Sequence, residues 1–142
     1  MSEPEQPVKQ VLEAYKAAVY AKDVEAFVAL YDQDVCVFDM WGRWSYSGVE
    51  AWREMVTDWF GSLGSERVGV EFADVQTTSV QTIAVAHAFV TYQGLSAEGE
   101  ALRAMQNRVT FALEHRGDTW KIVHEHSSAP ADFETLKVIL EP

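Results

Sequence analysis

The sequence predicts an α+β domain in which one curved, mixed but mostly antiparallel sheet wraps over three helices of the N-terminal half. Apolar residues recur with helical spacing in three segments before residue 65. Four long segments with strand-like patterning follow, separated by short turns, which are typical of antiparallel pairs. This order predicts a pocket between the helices and the sheet, and an open outer sheet face of the kind that commonly pairs with another subunit.

Composition favours a folded domain. The chain has 142 residues, of which 48% are hydrophobic and 12% aromatic, so we expect a single domain over 1–142 with a buried core. Residues 1–6 are expected to be a flexible tail, and 131–142 a C-terminal extension. No apolar run approaches the ~18 residues of a membrane span, and the acidic start does not resemble a signal peptide. The single cysteine, Cys36, predicts a reducing, cytoplasmic setting.

The charge excludes several partners. The formal net charge is −11, and the basic residues form no cluster in the sequence. Nucleic acid and membrane are therefore not expected as partners. The sequence also contains neither a glycine-rich phosphate loop nor a Ser-His-Asp pattern, and we expect no cofactor.

Three helices are predicted. Apolar spacing indicates the first over 7–21. Asp23 is a suitable N-cap for a second helix over 24–31, which the polar residues 32–34 should end. Ser47 and Glu50 have the spacing of a capping box, with Ser47 as N-cap of a third helix that ends at the glycines within 61–64.

The remaining segments predict strands. A strand over 35–40 places Val35, Val37 and Asp39 on one face. After a turn, residues 44–46 return as a short strand. Longer strands are predicted over 67–80, 82–93, 100–115 and 119–128. For 132–140 the sequence leaves a short helix and an added strand as alternatives.

The segment 119–128 begins apolar and ends polar, which suggests that its far half lines a cavity or an interface. Regular alternation places His124 and His126 on the same face as Ile122. Glu125 and Ser127 then lie on the opposite face. The sequence leaves open which of the two faces the pocket.

Three stretches resemble the nuclear transport factor 2-like superfamily and its SnoaL-like subgroup. These are the opening helical pair in 13–31, the first hairpin with the entry to the third helix in 35–48, and the ending Trp-Lys-Ile-Val-His-Glu-His-Ser-Ser-Ala-Pro over 120–130. This ending also resembles the association domain of calcium/calmodulin-dependent kinase II. A more distant similarity is to ketosteroid isomerase. The resemblance spans nearly the whole chain and implies a cone-shaped, cystatin-like roll, usually a homodimer.

Asp39 and Tyr15 are the candidate catalytic residues that this resemblance implies. Asp39 stands where isomerase-like members carry a proton-shuttling base, and Tyr15 stands where they carry an oxyanion-stabilising tyrosine. A carboxylate facing an apolar pocket becomes a better base because its pKa rises, and a phenol is a good neutral donor. The alternatives are a hairpin cap or an ion pair with Arg43 for Asp39, and an ordinary core position for Tyr15.

Trp41, His87, Arg108, His124 and His126 are the candidate ligand-binding residues. Trp41 is expected at the pocket mouth. On the penultimate strand the isomerases carry an acid that this chain lacks, so Arg108 or Asn107 could donate instead. The histidine pair is expected to form a polar pocket wall or a dimer interface. A metal held by the pair with His87 as third ligand is the weaker alternative, and no metal site is expected.

These features predict binding of a small apolar molecule, or cofactor-free proton transfer as in an isomerase, cyclase or dehydratase. The site would be a hydrophobic pocket with one carboxylate. The alternative is a non-catalytic association module that forms a homodimer through the outer sheet face.

Overall fold

The computed structural model describes residues 5–142. Its helices are α1 (Glu5–Ala21), α2 (Val24–Val28) and α3 (Val49–Ser62), and its strands are β1 (Tyr31–Phe38), β2 (Tyr46–Ser47), β3 (Arg67–Val80), β4 (Ile83–Leu95), β5 (Ala101–Arg116) and β6 (Thr119–Ser128). The predicted α+β class is confirmed. Of the predicted tail 1–6, residues 1–4 lie outside the described residues, whereas 5 and 6 belong to α1. Within the described part of the chain, the helices are too short or too polar to cross a membrane.

The six strands form one mixed sheet in the order β2-β1-β6-β5-β4-β3. Strands β3 to β6 pair antiparallel with their sequence neighbours, whereas β6 pairs parallel with β1. The last strand of the sequence therefore lies in the middle of the sheet. Both of its edges are hydrogen-bonded, to β1 and to β5.

The core lies between the helices and one face of the sheet. Phe27 of α2 is fully buried, and its ring contacts those of Tyr15 (4.9 Å between centroids), Tyr31 (5.3 Å) and Phe60 (5.8 Å). Burying one such side chain stabilises a fold by about 1.5–3 kcal/mol. This ring cluster joins α1, α2, α3 and β1.

The second helix is shorter than predicted, and the prediction that residues 32–34 end it is wrong. α2 stops at Val28, and β1 already begins at Tyr31. The cause is tertiary: Tyr31 pairs with Ile122 of β6, and the Ile122 N–H donates to the Leu30 carbonyl at 2.9 Å. Asp32 and Asp34 are tolerated in the strand because they do not face the core.

The predicted capping box is also wrong. Ser47 belongs to β2, where it pairs with Cys36, and the N-cap of α3 is Gly48. Gly48 has φ +87°, a conformation that glycine adopts without strain, and its N–H donates to the Val35 carbonyl at 2.7 Å. Pairing with β1 thus overrides the local capping signal.

The segment 132–140 is neither of the alternatives left open by the sequence. A single bridge pairs Ala131 with Val138, around a turn in which the Asp132 carboxylate accepts the backbone N–H groups of residues 134 and 135. The Leu140 carbonyl then accepts the N–H of Gln106 at 2.7 Å. The segment is thereby held beside β5, where Leu140 reaches the main cavity.

Candidate active site

A cavity of about 650 Å³ lies between the helices and the inner face of the sheet. Most of its wall is apolar and aromatic. The contributing side chains include Trp52, Met55, Trp59 and Leu63 of α3, Val68 of β3, Tyr92 of β4, Met105 of β5 and Leu140 of the C-terminal segment. A cavity of this size and character is typical of sites for small organic ligands.

A β-bulge decides which side chains of β6 face this cavity. Leu113 of β5 pairs with Ile122, and the next residue, Ala112, pairs with His124, which leaves Val123 as the extra residue. Ile122 and Glu125 consequently lie on the same inner face although they are an odd number of positions apart. The expectation that Ile122 shares a face with His124 and His126 is wrong for this reason.

Glu125 is the most deeply buried acid of the site. Only 3% of its surface is exposed, and the Tyr31 hydroxyl donates to its Oε1 at 2.5 Å. Burial raises the pKa of Glu125 to about 8 against the opposing effect of that hydrogen bond, and the nearby Asp39 charge adds to the rise. At neutral pH the Glu125 carboxyl group is therefore mainly protonated and can donate a hydrogen.

Asp39 follows β1 and continues the inward face of Val35 and Val37. Its Oδ1 accepts from the Ser127 hydroxyl at 3.1 Å, and its Oδ2 accepts from the Trp41 N–H at 3.2 Å. Burial raises the pKa of Asp39, while these two hydrogen bonds oppose the rise. Asp39 thus caps the hairpin and lines the cavity at once.

An ion pair with Arg43 was one alternative for Asp39, but Arg43 pairs with Glu54 instead. The Arg43 guanidinium lies 3.7 Å from Glu54 and over the ring of Tyr46. Ser127, instead, orients the Asp39 carboxylate, because its hydroxyl accepts the Met40 N–H at 3.1 Å while donating to Asp39. The Asp39 carboxylate is held by hydroxyl and amide donors rather than by a cation.

Two phenols complete the polar part of the cavity. The hydroxyls of Tyr15 and Tyr92 lie 2.9 Å apart. Burial, and then the proximity of the other ring hydroxyl, raises the pKa of Tyr15, and burial followed by the Glu125 charge raises that of Tyr92. Both therefore stay neutral at physiological pH, and one hydroxyl of the pair donates to the other.

Asn107 occupies the cavity wall on β5 and is 7% exposed. Its amide nitrogen lies 3.4 Å from the Met40 sulfur, while within residues 5–142 its amide oxygen has no hydrogen-bond partner. A buried acceptor without a partner is costly. A donor group of a ligand would remove that cost. Asn107 and Arg103, rather than Arg108, are the polar side chains that β5 offers to the cavity.

Three of the seven predicted site residues, Tyr15, Asp39 and Trp41, line the cavity. Trp41 is 47% exposed and lies at its opening, as expected. The roles of all three residues remain predictions.

The structure does not bring the other four residues to the cavity. His87, Arg108, His124 and His126 alternate along β4, β5 and β6 with buried residues, and their side chains lie on the outer face of the sheet. The prediction that these four side chains line the cavity is therefore corrected. Tyr92 was missed as a site residue, whereas Glu125 and Asn107 had been left as alternatives by the sequence and line the cavity. The motif 124–126 drew attention to Glu125. Nothing in the sequence indicated the bulge that turns its side chain inward.

The comparisons with known proteins agree with this architecture. The profile of the family described as SnoaL-like domain matches residues 8–132. The chain belongs to this family. The SnoaL-like domain was expected from the ending at 120–130, and the structure shows why that ending is informative, since it is a central strand that carries Glu125 into the cavity. The comparison with curated proteins found no match.

Several solved structures share the fold of this SnoaL-like domain. A nuclear transport factor 2-like protein of unknown function from Pseudomonas putida is 25% identical, covers 96% of this chain and 94% of its own, and has a TM-score of 0.84. A Xanthomonas campestris protein provisionally named a calcium/calmodulin-dependent protein kinase II association domain is 18% identical, with coverages of 92% and 89% and a TM-score of 0.77. A Caulobacter vibrioides protein with a cystatin-like fold is 16% identical, with coverages of 89% and 89% and a TM-score of 0.74.

Proposed function

We propose that this SnoaL-like domain binds a small apolar molecule in the cavity and catalyses a cofactor-free proton transfer on it. The observation that carries the proposal is the pair of carboxyl groups, Asp39 and Glu125, in one largely apolar cavity but in different environments. Two carboxyl groups whose surroundings separate their pKa values can act as base and acid at the same pH. The pocket was predicted with one carboxylate, and it contains two carboxyl groups.

Each polar group has a distinct task in this proposal. Asp39, which is less buried and bonded to Ser127, ionises first and removes a proton from a carbon next to a carbonyl group. Tyr15 and Tyr92 stabilise the negative charge that develops on the carbonyl oxygen. Glu125 donates its proton, either to that oxygen or to a leaving hydroxyl. Isomerisation needs only such transfers. In cyclisation the enolate then forms a bond to a second carbonyl carbon, and in dehydration it expels a hydroxyl, which leaves as water after taking the Glu125 proton.

Solvent-deuterium exchange into small enolisable ketones, followed by NMR, tests this proposal without knowledge of the natural substrate. Asp39→Asn should slow exchange by about 100- to 10,000-fold, because a positioned base is lost. Asp34→Asn is the matched control, since Asp34 lies on β1, the strand that precedes Asp39, but is exposed. Exchange that is no faster in the wild type than in Asp39→Asn would contradict the proposed base.

The outer face of the sheet supports a second proposal, that two copies associate through it. Phe38, Val85 and Phe89 are exposed on this face, and Phe89 is 55% exposed. Exposed apolar residues on one sheet face are typical of an association surface. Light scattering at micromolar concentration should show a dimer, and Phe89→Glu should dissociate it. A wild-type monomer would refute this proposal and leave the cavity proposal untouched.

The setting of the protein remains a prediction. Cys36 is a free thiol on β1, so a reducing, cytoplasmic environment is the one expected for it. Labelling of the thiol in intact cells, compared with the purified protein, measures this directly.

A further inference from the structure

His124 and His126 form a pair of imidazoles on the outer face of β6, on the opposite side of the sheet from the cavity. They are two residues apart on one strand face, and their ring centroids are 6.3 Å apart. Zinc binds imidazole nitrogen at about 2.0–2.1 Å, and side chains at alternate positions of a strand lie on the same face, so both rings can serve as ligands of one ion. The strand backbone thus supplies two ligands at a spacing suited to one ion.

The tautomer of His124 is set by its surroundings. Its Nδ1 lies 2.7 Å from the Cys36 carbonyl oxygen. A carbonyl oxygen can only accept, so Nδ1 carries the hydrogen and donates it. In the neutral ring Nε2 then carries a free lone pair. Metal-binding histidines typically have this arrangement, in which a backbone carbonyl fixes the ring and increases its basicity.

Both rings are also held in place by packing. Phe38 of β1 meets His124 edge-on with 4.9 Å between centroids, and meets His126 in the same way at 5.5 Å. Phe38 pairs with His126 in the parallel β1–β6 ladder. A ligand that is already ordered loses less conformational entropy when it binds an ion. The net charge of −11 further favours a cation.

The neighbouring groups limit the site to these two side chains. His87 is separated from His126 by Thr110, so two strand spacings, about 9.6 Å, lie between their backbones. Arg108 directs its guanidinium to the Ser128 hydroxyl at 3.1 Å. In residues 5–142 no cluster of three or more metal-binding side chains is assembled. The remaining ligands must come from water or from a second copy of the chain.

We propose that His124 and His126 form a two-imidazole binding site for a borderline divalent transition metal such as Zn²⁺, completed by water or by the same pair of a second copy. Imidazole nitrogen suits zinc, copper and nickel, and discriminates against magnesium and calcium. This site lies on the opposite face of the sheet from the cavity, and it requires none of the residues to which the proposed proton transfer assigns a task.

Titration calorimetry with ZnCl₂, with MgCl₂ as the comparison ion, tests the proposal. The wild-type chain should bind zinc but not magnesium, and His126→Ala should weaken zinc binding by about tenfold or more. His87→Ala is the matched control, an exposed histidine of the same face, and should leave the affinity within about twofold. A ratio of one zinc per chain indicates water as the remaining ligand, and one per two chains indicates the second copy.

Several results would overturn the assignment. They are the absence of zinc binding at millimolar concentration, an equal loss in His87→Ala, or a comparable loss in Cys36→Ser, which would indicate a thiolate ligand instead. His124→Ala would also remove the hydrogen bond to the Cys36 carbonyl, so a loss of zinc binding in that variant could have a structural cause. Zinc binding by His124 is therefore measured on the wild-type protein. The imidazole ¹⁵N signals of His124 and His126 should shift on adding zinc while that of His87 stays unchanged.

Discussion

The two faces of the sheet carry titratable side chains from neighbouring positions of β6, in opposite surroundings. Inward, Glu125 is almost fully buried, bonded to Tyr31, and has a pKa raised to about 8. Outward, His124 and His126 lie next to Phe38, and His126 is exposed. The comparison teaches that the side of the sheet, more than residue type, decides what an ionisable group can do. On the inner face, it is burial that raises the pKa of Glu125.

The largest expected difference between the faces is in packing. Phe111→Ala removes a ring that is 2% exposed and contacts Tyr15, and should lower the free energy of unfolding by about 3–5 kcal/mol. Phe89→Ala removes the same side chain from the outer face and should cost less than about 1 kcal/mol. Urea denaturation of the two variants measures this. Equal losses would mean that the outer face is already covered, as in a stable dimer.

The second prediction concerns pH. The pKa of Glu125 is raised from 4.5 to about 8, so its contribution to stability is complete below pH 4.5 and is lost as pH rises through about 8. At about 1.4 kcal/mol per unit, the loss is on the order of a few kcal/mol. Glu125→Gln should be free of it, and should therefore be more stable than the wild type at pH 9. Parallel pH dependence of both proteins would contradict the raised pKa.

A smaller effect is expected for the phenol pair. Tyr15→Phe leaves the buried Tyr92 hydroxyl without its partner at 2.9 Å, and should cost about 1–3 kcal/mol. Tyr20→Phe, on the exposed side of the same helix, should change stability by less than about 0.5 kcal/mol. Thermal unfolding of the two variants decides this. In the exchange assay, Tyr15→Phe should also be slower, whereas Tyr20→Phe should match the wild type.

The smallest difference is expected between adjacent serines. Ser127→Ala removes the inward hydroxyl that joins Met40 to Asp39, and should cost about 1 kcal/mol. The pKa of Asp39 should rise further, because a hydrogen bond that lowers it is gone. Ser128→Ala affects only the contact with Arg108 on the outer face and should be nearly neutral. NMR titration of the Asp39 carboxyl group in both variants measures this. A larger rise of the Asp39 pKa in Ser128→Ala than in Ser127→Ala would contradict the prediction.

Much of the fold could be predicted because its signals are local. Alternation and turns placed β3 and β6 at the bounds that the structure has, and helical spacing placed α1 and α3 within two residues. The errors at Tyr31 and Ser47 have a common cause. Tyr31 joins β1 because it pairs with Ile122, which is distant in the sequence, and Ser47 joins β2 because it pairs with Cys36 across a turn. Hydrogen bonds between strands outweigh the weak local preferences of these residues.

The candidate site was predicted less completely. Tyr15 and Asp39 were found through the family resemblance, and the structure places both at the cavity. Glu125 was left undecided, because a single inserted residue reverses every side chain that follows it in a strand. The unpaired Asn107 oxygen could not be foreseen either, since it depends on where Met40 packs.

By itself, the sequence determined the elements, their order, the α+β class and the family, because periodicity, turns and motif spacing are written along the chain. Only the tertiary structure decided which residues of β6 face the cavity. Val123 bulges out where β6 pairs with β5, so Glu125 turns inward and His124 and His126 turn outward. The physical reason is that burial, and with it the pKa of an acid, depends on neighbours brought together from distant parts of the chain.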